Sequence, residues 1–473
     1  MIRFTDELHK MPPLVRRGLS ILNPVALCLL VICCAVARAQ KAELAPPPGA
    51  KVIDITERRG YFNEPSVAVN PLNPKQVVLA YQTGARVAYS EDAGENWQIA
   101  ANTVPRNYAV SGDVSVAYDN QGHAFLCYIA FDKLGTEEYW GHNATRNGIF
   151  VRRSLDGGRT WQNPAAVIEH PTQPGIPFED KPYIVADNTK GPYAGNLYVG
   201  WTQFTLTQSV ILFSRSVDDG VTWSKPIRIS TKAGLPRDDN GAVEGFTGAV
   251  GPDGTLYVVW ADGTHVVFTY SRDGGRTFAP SRGIIPIAPP YFHITNVDRT
   301  DGFPVISIDP RGGKGAGLLY VTWSDYRNGD VDVFCSTSAD HGRTWAPAVR
   351  VNSDPIHNGA DQFFQWLAVD PVTGAANLIF YDRRDDSENR NAVVVLARST
   401  DHGRTFDNYL WMGEPFDPNN DFIGDYTGIA AYGGRIYGVW TEERPRSSKR
   451  EAAKPSHHTI VRVGIADFSG SSK

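Results

Sequence analysis

Residues 338–347 read SADHGRTWAP: a small hydroxyl, an aspartate, a glycine, a threonine and an aromatic, in the order of a tight turn. The chain writes the same pattern five more times, as SEDAGENWQI, SLDGGRTWQN, SVDDGVTWSK, SRDGGRTFAP and STDHGRTFDN. The six turns recur every 55–67 residues, the kind of period that propellers and arrays produce. Around the fifth turn the parts of one unit are clear. DGFPVISIDP is an inner strand, LLYVTWSD a second, VDVFCSTS a third, and PAVRVNS follows the turn as a fourth. Four short antiparallel strands per repeat make one propeller blade.

The inner-strand element occurs seven times: NEPSVAVNP, GDVSVAYD, DKPYIVAD, EGFTGAVGP, DGFPVISIDP, DQFFQWLAVDP and GDYTGIAAY. The seventh unit continues with RIYGVWTEE and HTIVRVGIAD, then ends with no turn and no fourth strand. KVIDIT, residues 51–56, has the shape of the fourth strands IRIST and VRVNS. Paired into the last blade, it closes the ring and removes two exposed edges. The expected fold is all-β: a seven-bladed propeller of four-stranded antiparallel blades closed by the N-terminal strand, with six blades as the alternative. The expected boundaries are a signal peptide over 1–39, a linker over 40–50 and one propeller domain over 51–469. The signal rests on Arg16 and Arg17, the apolar run ILNPVALCLLVICCAV and the small-x-small site Ala37-Arg38-Ala39. It implies a secreted or periplasmic protein, with no further membrane segment.

A net charge of −5 gives no electrostatic case for nucleic-acid binding. Cys127 and Cys335 each lie in apolar strand-like runs far apart in the repeat order, so two buried free thiols are expected. No Cys/His spacing indicates zinc, and neither a metal nor a cofactor is expected. The turn aspartates, Asp340 among them, accept backbone N–H bonds, the glycines suit positive φ, and the aromatics pack as wedges. The turn is therefore scaffold, and chemistry belongs on the opposite face.

That face collects Glu64, Asp113, Asp180, Glu244, Asp301, Asp361 and Asp425 from inner-strand starts. Second-strand ends add Asp262, Asp325-Tyr326-Arg327, Asp382-Arg383-Arg384 and Glu442-Glu443-Arg444. So many carboxylates repel unless arginines, hydrogen bonds or a cation offset them. Most then serve as ties to a neighbouring backbone and a minority meet a ligand. Asp113, Asp180, Asp325, Arg327, Asp382, Arg383, Arg444 and Asp425 are the substrate-binding candidates. Long loops bring Tyr139, Trp140, His142, Tyr291, Phe292, His293, Trp411 and Phe416, and aromatics beside carboxylates suit a glycan or small molecule at the channel mouth. The same rings equally serve to pin their own loops.

The pattern S-x-D-x-G-x-T-[WF] resembles the Asp-box (BNR-repeat) propellers of the sialidase superfamily over essentially the whole mature chain. The resemblance implies a propeller acting on carbohydrate. GDYTGIAAYGGRIYGVWTEE resembles the family segment with the nucleophilic tyrosine, which assigns that role to Tyr426, and EGFTGAVGPDGTLYVVW assigns its proton-accepting partner to Glu244. Asp301, Asp361 or Asp382 would supply the acid. The sequence departs from the family where the sialic acid carboxylate is clamped: Asn63 and Asp262 stand where arginines belong. The acid-bearing loop of the first blade reads Gln82-Thr83-Gly84-Ala85, without a carboxylate. The readings, in order, are a glycoside-processing enzyme not specific for sialic acid, a non-catalytic glycan- or protein-binding scaffold, and a true exo-sialidase.

Overall fold

The structure, a computed structural model, describes residues 43–56, 60–133, 146–171, 177–238, 241–288, 293–312, 316–419, 422–443 and 459–471. The expected signal peptide, Tyr139, Trp140, His142, Tyr291, Phe292 and Arg444 lie outside the described residues. Pro46–Lys473 form one compact unit. It is built from seven four-stranded antiparallel sheets, with no α-helix among the described residues. In blades one to six the strands follow chain order, inner to outer. The first inner strands are Asn63–Val69 and Val110–Tyr118, followed around the ring by Phe178–Ala186, Glu244–Val250, Val305–Ile308 and Gln362–Val369. The seventh blade joins both ends of the chain. Gly428–Tyr432, Arg435–Glu443 and Thr459–Asp467 are completed by Lys51–Asp54, with Lys51 opposite Ile465 and Asp54 opposite Arg462. Seven blades with N-terminal closure is therefore the architecture.

Each sheet is covered on both faces by its neighbours, so the second strands show little polar alternation. Ala124–Phe131, AFLCYIAF, is buried at every position. Hydroxyls tie the inner strands around the ring: Ser66, Ser115, Thr247 and Ser307 accept from Val116, Ile184, Ile306 and Val369 N–H, each at 3.2 Å in the next blade. Cys127 and Cys335 are buried free thiols.

The repeated turn is a closed hydrogen-bond unit. In the fifth blade Ser338 Oγ donates to Asp340 Oδ1 at 2.8 Å and accepts from Gly342 N–H at 2.9 Å. Thr344 donates from N and Oγ1 to the same aspartate at 2.9 and 2.6 Å. Gly342 has φ +78°, and a Cβ there would lie 2.3 Å from Phe268 Cζ in the preceding blade. Its counterpart Gly94 meets Tyr437 and Ile465 of the closing blade in the same way. The glycine thus satisfies a left-handed backbone and also lets each turn press against the blade before it.

Two aromatics expected at the mouth are core residues instead. Trp411 is 1 % exposed, stacks near Trp440 with ring centres 6.0 Å apart, and fills a notch left by Gly438 and Gly464. Phe416 packs edge-on against Tyr381. Large apolar surface on an outer strand is better spent between blades than in solvent.

Candidate active site at the channel mouth

Local geometry at the inner-strand starts builds the site. Five inner strands slip register there, between Asn63 and Ser66, Gly112 and Ser115, Asp180 and Tyr183, Glu244 and Thr247, and Phe363 and Trp366. Within each bulge one residue takes positive φ: Glu64 (+51°), Asp113 (+47°), Lys181 (+48°), Gly245 (+82°) and Phe364 (+53°). Bulges re-aim side chains beside functional sites, and a non-glycine residue held left-handed stores strain that its surroundings must sustain. Here they turn a ring of charged residues into a cavity of about 560 Å³.

Apolar side chains form part of the lining, Val110, Ile129 and Phe131 from the second blade and Phe422 beside Arg299. Glu64, Asp113, Asp180, Asp238, Glu244, Asp298 and Asp425 supply its acids, and Lys181 and Arg299 its cations. Arg299 forks onto Asp425, Nε to Oδ1 at 2.8 Å and Nη2 to Oδ2 at 2.5 Å, while Nη1 reaches Asp238 Oδ2 at 2.5 Å. Lys181 Nζ lies 3.1 Å from Asp425 Oδ2, 4.4 Å from the centre of the Phe303 ring and 5.2 Å from that of Tyr426. Its backbone N–H donates to Asp113 Oδ2 and Asp180 Oδ1 at 3.1 and 2.9 Å. Asp425 N–H donates to Glu64 Oε1 at 3.2 Å.

The electrostatics divide these acids. Burial, then Asp113 and Asp425, push the Glu64 carboxyl well above the usual range. Burial, then Asp113, Asp238 and Glu244, do the same to Asp180. Burial opposes ionisation of Asp425, but Arg299 and Lys181 outweigh it and hold its carboxyl low. Burial also opposes the Lys181 ammonium, yet Asp425, Asp301, Glu244 and Glu64 keep it well above its ordinary range. Burial and neighbouring acids thus favour the protonated form of Glu64 and Asp180, while Arg299 and Lys181 favour the ionised form of Asp425, the kind of division that acid–base chemistry uses.

Of the residues expected from sequence, Asp113, Asp180, Glu244 and Asp425 line this cavity. Tyr426 lines a second, inner cavity of about 50 Å³ together with Phe246, Phe303 and Trp366. Lys181 borders both cavities, so the tyrosine stands on the channel side of the lysine. Burial, then Glu64 and Asp113, push its phenol well up. Asp301 acts on Lys181 and accepts from Phe303 N–H at 3.2 Å, outside the mouth lining.

The remaining candidates stitch structure together. Asp361 accepts from Val331 N–H at 3.0 Å and Asn389 Nδ2 at 2.6 Å. Asp325 is buried under Trp323 Nε1 at 2.9 Å and Arg327 Nη2 at 2.6 Å. Asp382 receives Arg384 Nε at 2.6 Å, and Arg383 lies fully buried over the Phe363 ring with Nη1 donating to Asn389 O at 2.8 Å. Glu442 repeats the Asp325 arrangement with Trp440 and Arg462. The same spacing at Trp260 and Asp262 gives a different result, Asp262 instead accepting from Thr264 and His265 N–H.

Sequence reasoning passed over Lys181, Asp238 and Arg299. Lys181 follows Asp180 inside an inner-strand element, and Arg299 stands two residues before Asp301, so both were within reach of the repeat alignment. Asp238 lies on a loop after a fourth strand and carries no local signal.

No family model and no curated protein matches the sequence. Similarity appears among solved structures, which include sialidases and related propellers, and it concerns the fold, here a seven-bladed propeller. A phage phi92 endosialidase superposes with a TM-score of 0.51 at 10% identity, covering 88% of this chain and 69% of that one. A polysaccharide lyase, an ulvan lyase, gives 0.50 at 11% identity, covering 87% and 95%. A Hadza microbial sialidase gives 0.45 at 16% identity over 84% and 74%. At these identities the likeness is one of fold.

Proposed function

We propose that the protein is an exported glycan-processing propeller that cleaves a glycoside other than a sialoside in the mouth cavity. The observation that carries this is the cavity itself, lined both by apolar side chains and by carboxyls whose pKa values are pushed in opposite directions. A sugar presents a C–H face to the first and hydroxyls and a glycosidic oxygen to the second. Glu64 donates its proton to the leaving oxygen as the glycosidic bond breaks, and Asp113 takes the proton of the attacking water. The names of the endosialidase and the ulvan lyase are those of carbohydrate-active enzymes, which supports the class. Against sialic acid stands the state of Arg299, the arginine of the cavity lining among the described residues, whose fork is taken up by Asp425 and Asp238.

Tyr426 serves this site as packing under Lys181, not as nucleophile. The test is turnover of a panel of chromogenic neutral, basic and acidic glycosides by the wild type and by Tyr426→Phe. The reading expects turnover of a non-sialoside that survives in Tyr426→Phe to within about tenfold. Glycan binding with no turnover of any substrate makes the protein a binding module. Sialoside cleavage that vanishes in Tyr426→Phe returns the nucleophile to the tyrosine and overturns the proposal.

A further inference from the structure

Lys181 occupies the place in the third blade's bulge that Gly245 fills in the fourth, at φ +48° against +82°. Glycine takes that backbone freely, whereas a lysine held there is strained, and strain kept at a cavity points to a task for the side chain. Two connections run from this residue. Its backbone N–H, turned inward by the bulge, donates to Asp113 Oδ2 at 3.1 Å and to Asp180 Oδ1 at 2.9 Å. Its side chain is only 12 % exposed and places Nζ 3.1 Å from Asp425 Oδ2. The Asp425 N–H in turn donates to Glu64 Oε1 at 3.2 Å. The rings of Phe303 and Tyr426 lie beside the ammonium, and Asp301, Glu244 and Glu64 add to the attraction of Asp425. One lysine therefore reaches Asp113 directly and Glu64 through Asp425.

We propose that Lys181 is the positioning residue of the mouth, fixing Asp113 and Glu64 relative to one another and keeping Glu64 able to release its proton. This rests on the glycan-processing reading, in which Glu64 is the acid and Asp113 the base, and adds the residue that governs both. The charges facing Glu64 are Asp113 from the second blade, Lys181 from the third, Arg299 from the loop before the fifth inner strand and Asp425 before the seventh. Burial and the two aspartates favour its protonated form, and Lys181 and Arg299 its ionised form. Without the ammonium the carboxyl moves further above its ordinary range, and an acid that holds its proton too firmly is a poor general acid.

Lys181→Met keeps the backbone N–H and the unbranched side chain and removes the ammonium. Infrared titration of the buried carboxyl band, with Glu64→Gln marking the part due to Glu64, reads this carboxyl without a substrate. Its titration is expected to move to higher pH in Lys181→Met. It is expected to move to lower pH in Asp425→Asn, because Asp425 acts on Glu64 in the opposite sense. On whichever glycoside the wild type turns over, kcat in Lys181→Met is expected to fall at least about tenfold with KM within about threefold, and the alkaline limb to follow the titration upward. Lys181→Gln, which also lacks the charge but can still donate to Asp425, decides if Lys181→Met does not fold. A lysine that only packs against Phe303 and Tyr426 would change the melting temperature and leave the titration where it is, which overturns the inference. So does a shift of the same sign in Lys181→Met and Asp425→Asn, or a rise in KM at unchanged kcat, the mark of a direct substrate contact. The reading on which it rests fails separately, if no glycoside is turned over or if Glu64→Gln keeps the wild-type kcat.

Discussion

Glu64 is the residue on which the proposed chemistry of the mouth turns. Its backbone is held left-handed at φ +51°, its Oε1 accepts from Asp425 N–H, and its other oxygen lacks a partner. Asp325, by contrast, is bonded at both oxygens by Trp323 and Arg327. Glu64→Gln keeps the acceptor for Asp425 and removes the proton donor. It is expected to lower kcat by about 10²–10⁴-fold with little change in KM, measured on whichever glycoside the wild type turns over. The pH profile adds a second readout. The raised pKa means that the protonated, active form is lost as pH rises through it, so Glu64 sets the alkaline limb. A carboxyl raised in the fold also loses stability as pH rises from its unfolded value near 4.5 through the raised one, so Glu64→Gln is expected to melt no lower than wild type at neutral and alkaline pH. A variant that loses stability and activity together would return Glu64 to a structural role.

The turn is the element in which sequence and structure agree most closely. Its hydrogen bonds are local, running from Ser338 to Asp340, Gly342 and Thr344, and local chemistry at fixed spacing is what a repeat displays. The pressure of each turn on the preceding blade was not legible, because Phe268 lies far from Gly342 in sequence and meets it only through the ring. Gly342→Ala forces a side chain into φ +78° and against Phe268, and a loss of about 2–4 kcal/mol in urea unfolding is expected. Gly312→Ala, where a Cβ would meet nothing within 4 Å, is the control and is expected to stay within about 0.5 kcal/mol. The turns also predict the acid limit of stability. Slight burial works against ionisation of Asp273 and Asp401, but hydrogen bonds from Thr277 and Thr405 prevail and bring both carboxyls down to about 2. A carboxyl depressed in the fold contributes fully above its unfolded value near 3.8 and loses that contribution as pH falls through about 2. Unfolding followed by circular dichroism should therefore set in between roughly pH 4 and 2, and Asp273→Asn should shift that onset less than it lowers stability at pH 7.

At the scale of the whole ring, closure and site were unequally legible for one physical reason. Blade number and the closing strand follow from counting repeats and missing parts, which a sequence preserves. The mouth depends on which side chains a bulge turns inward and on loops that arrive from other blades. Asp361 and Glu64 both stand at inner-strand starts, yet one ties Val331 and Asn389 while the other lines the cavity. The same ring links the ends of the chain to the site. Lys51–Asp54 pairs along Thr459–Asp467, Ile55 N–H reaches Val461 O at 2.9 Å, and Arg462 joins Asp54 to Glu442 at 2.8 and 2.7 Å. Removing residues through Thr56 bares the third strand of the last blade and deletes buried Ile55 from the contact with blade one. Glu64 sits on that same inner strand of blade one, bonded to Asp425 beside the last. A chain beginning at Gly60 is therefore expected to lose soluble yield through its exposed edge, to melt well below a chain that keeps Lys51–Asp54, and to lose mouth ligand binding as the Glu64–Asp425 contact loosens. A truncated chain that melts and binds like one that keeps Lys51–Asp54 would show that the ring holds without its clasp, and that the first and last blades meet through their inner strands alone.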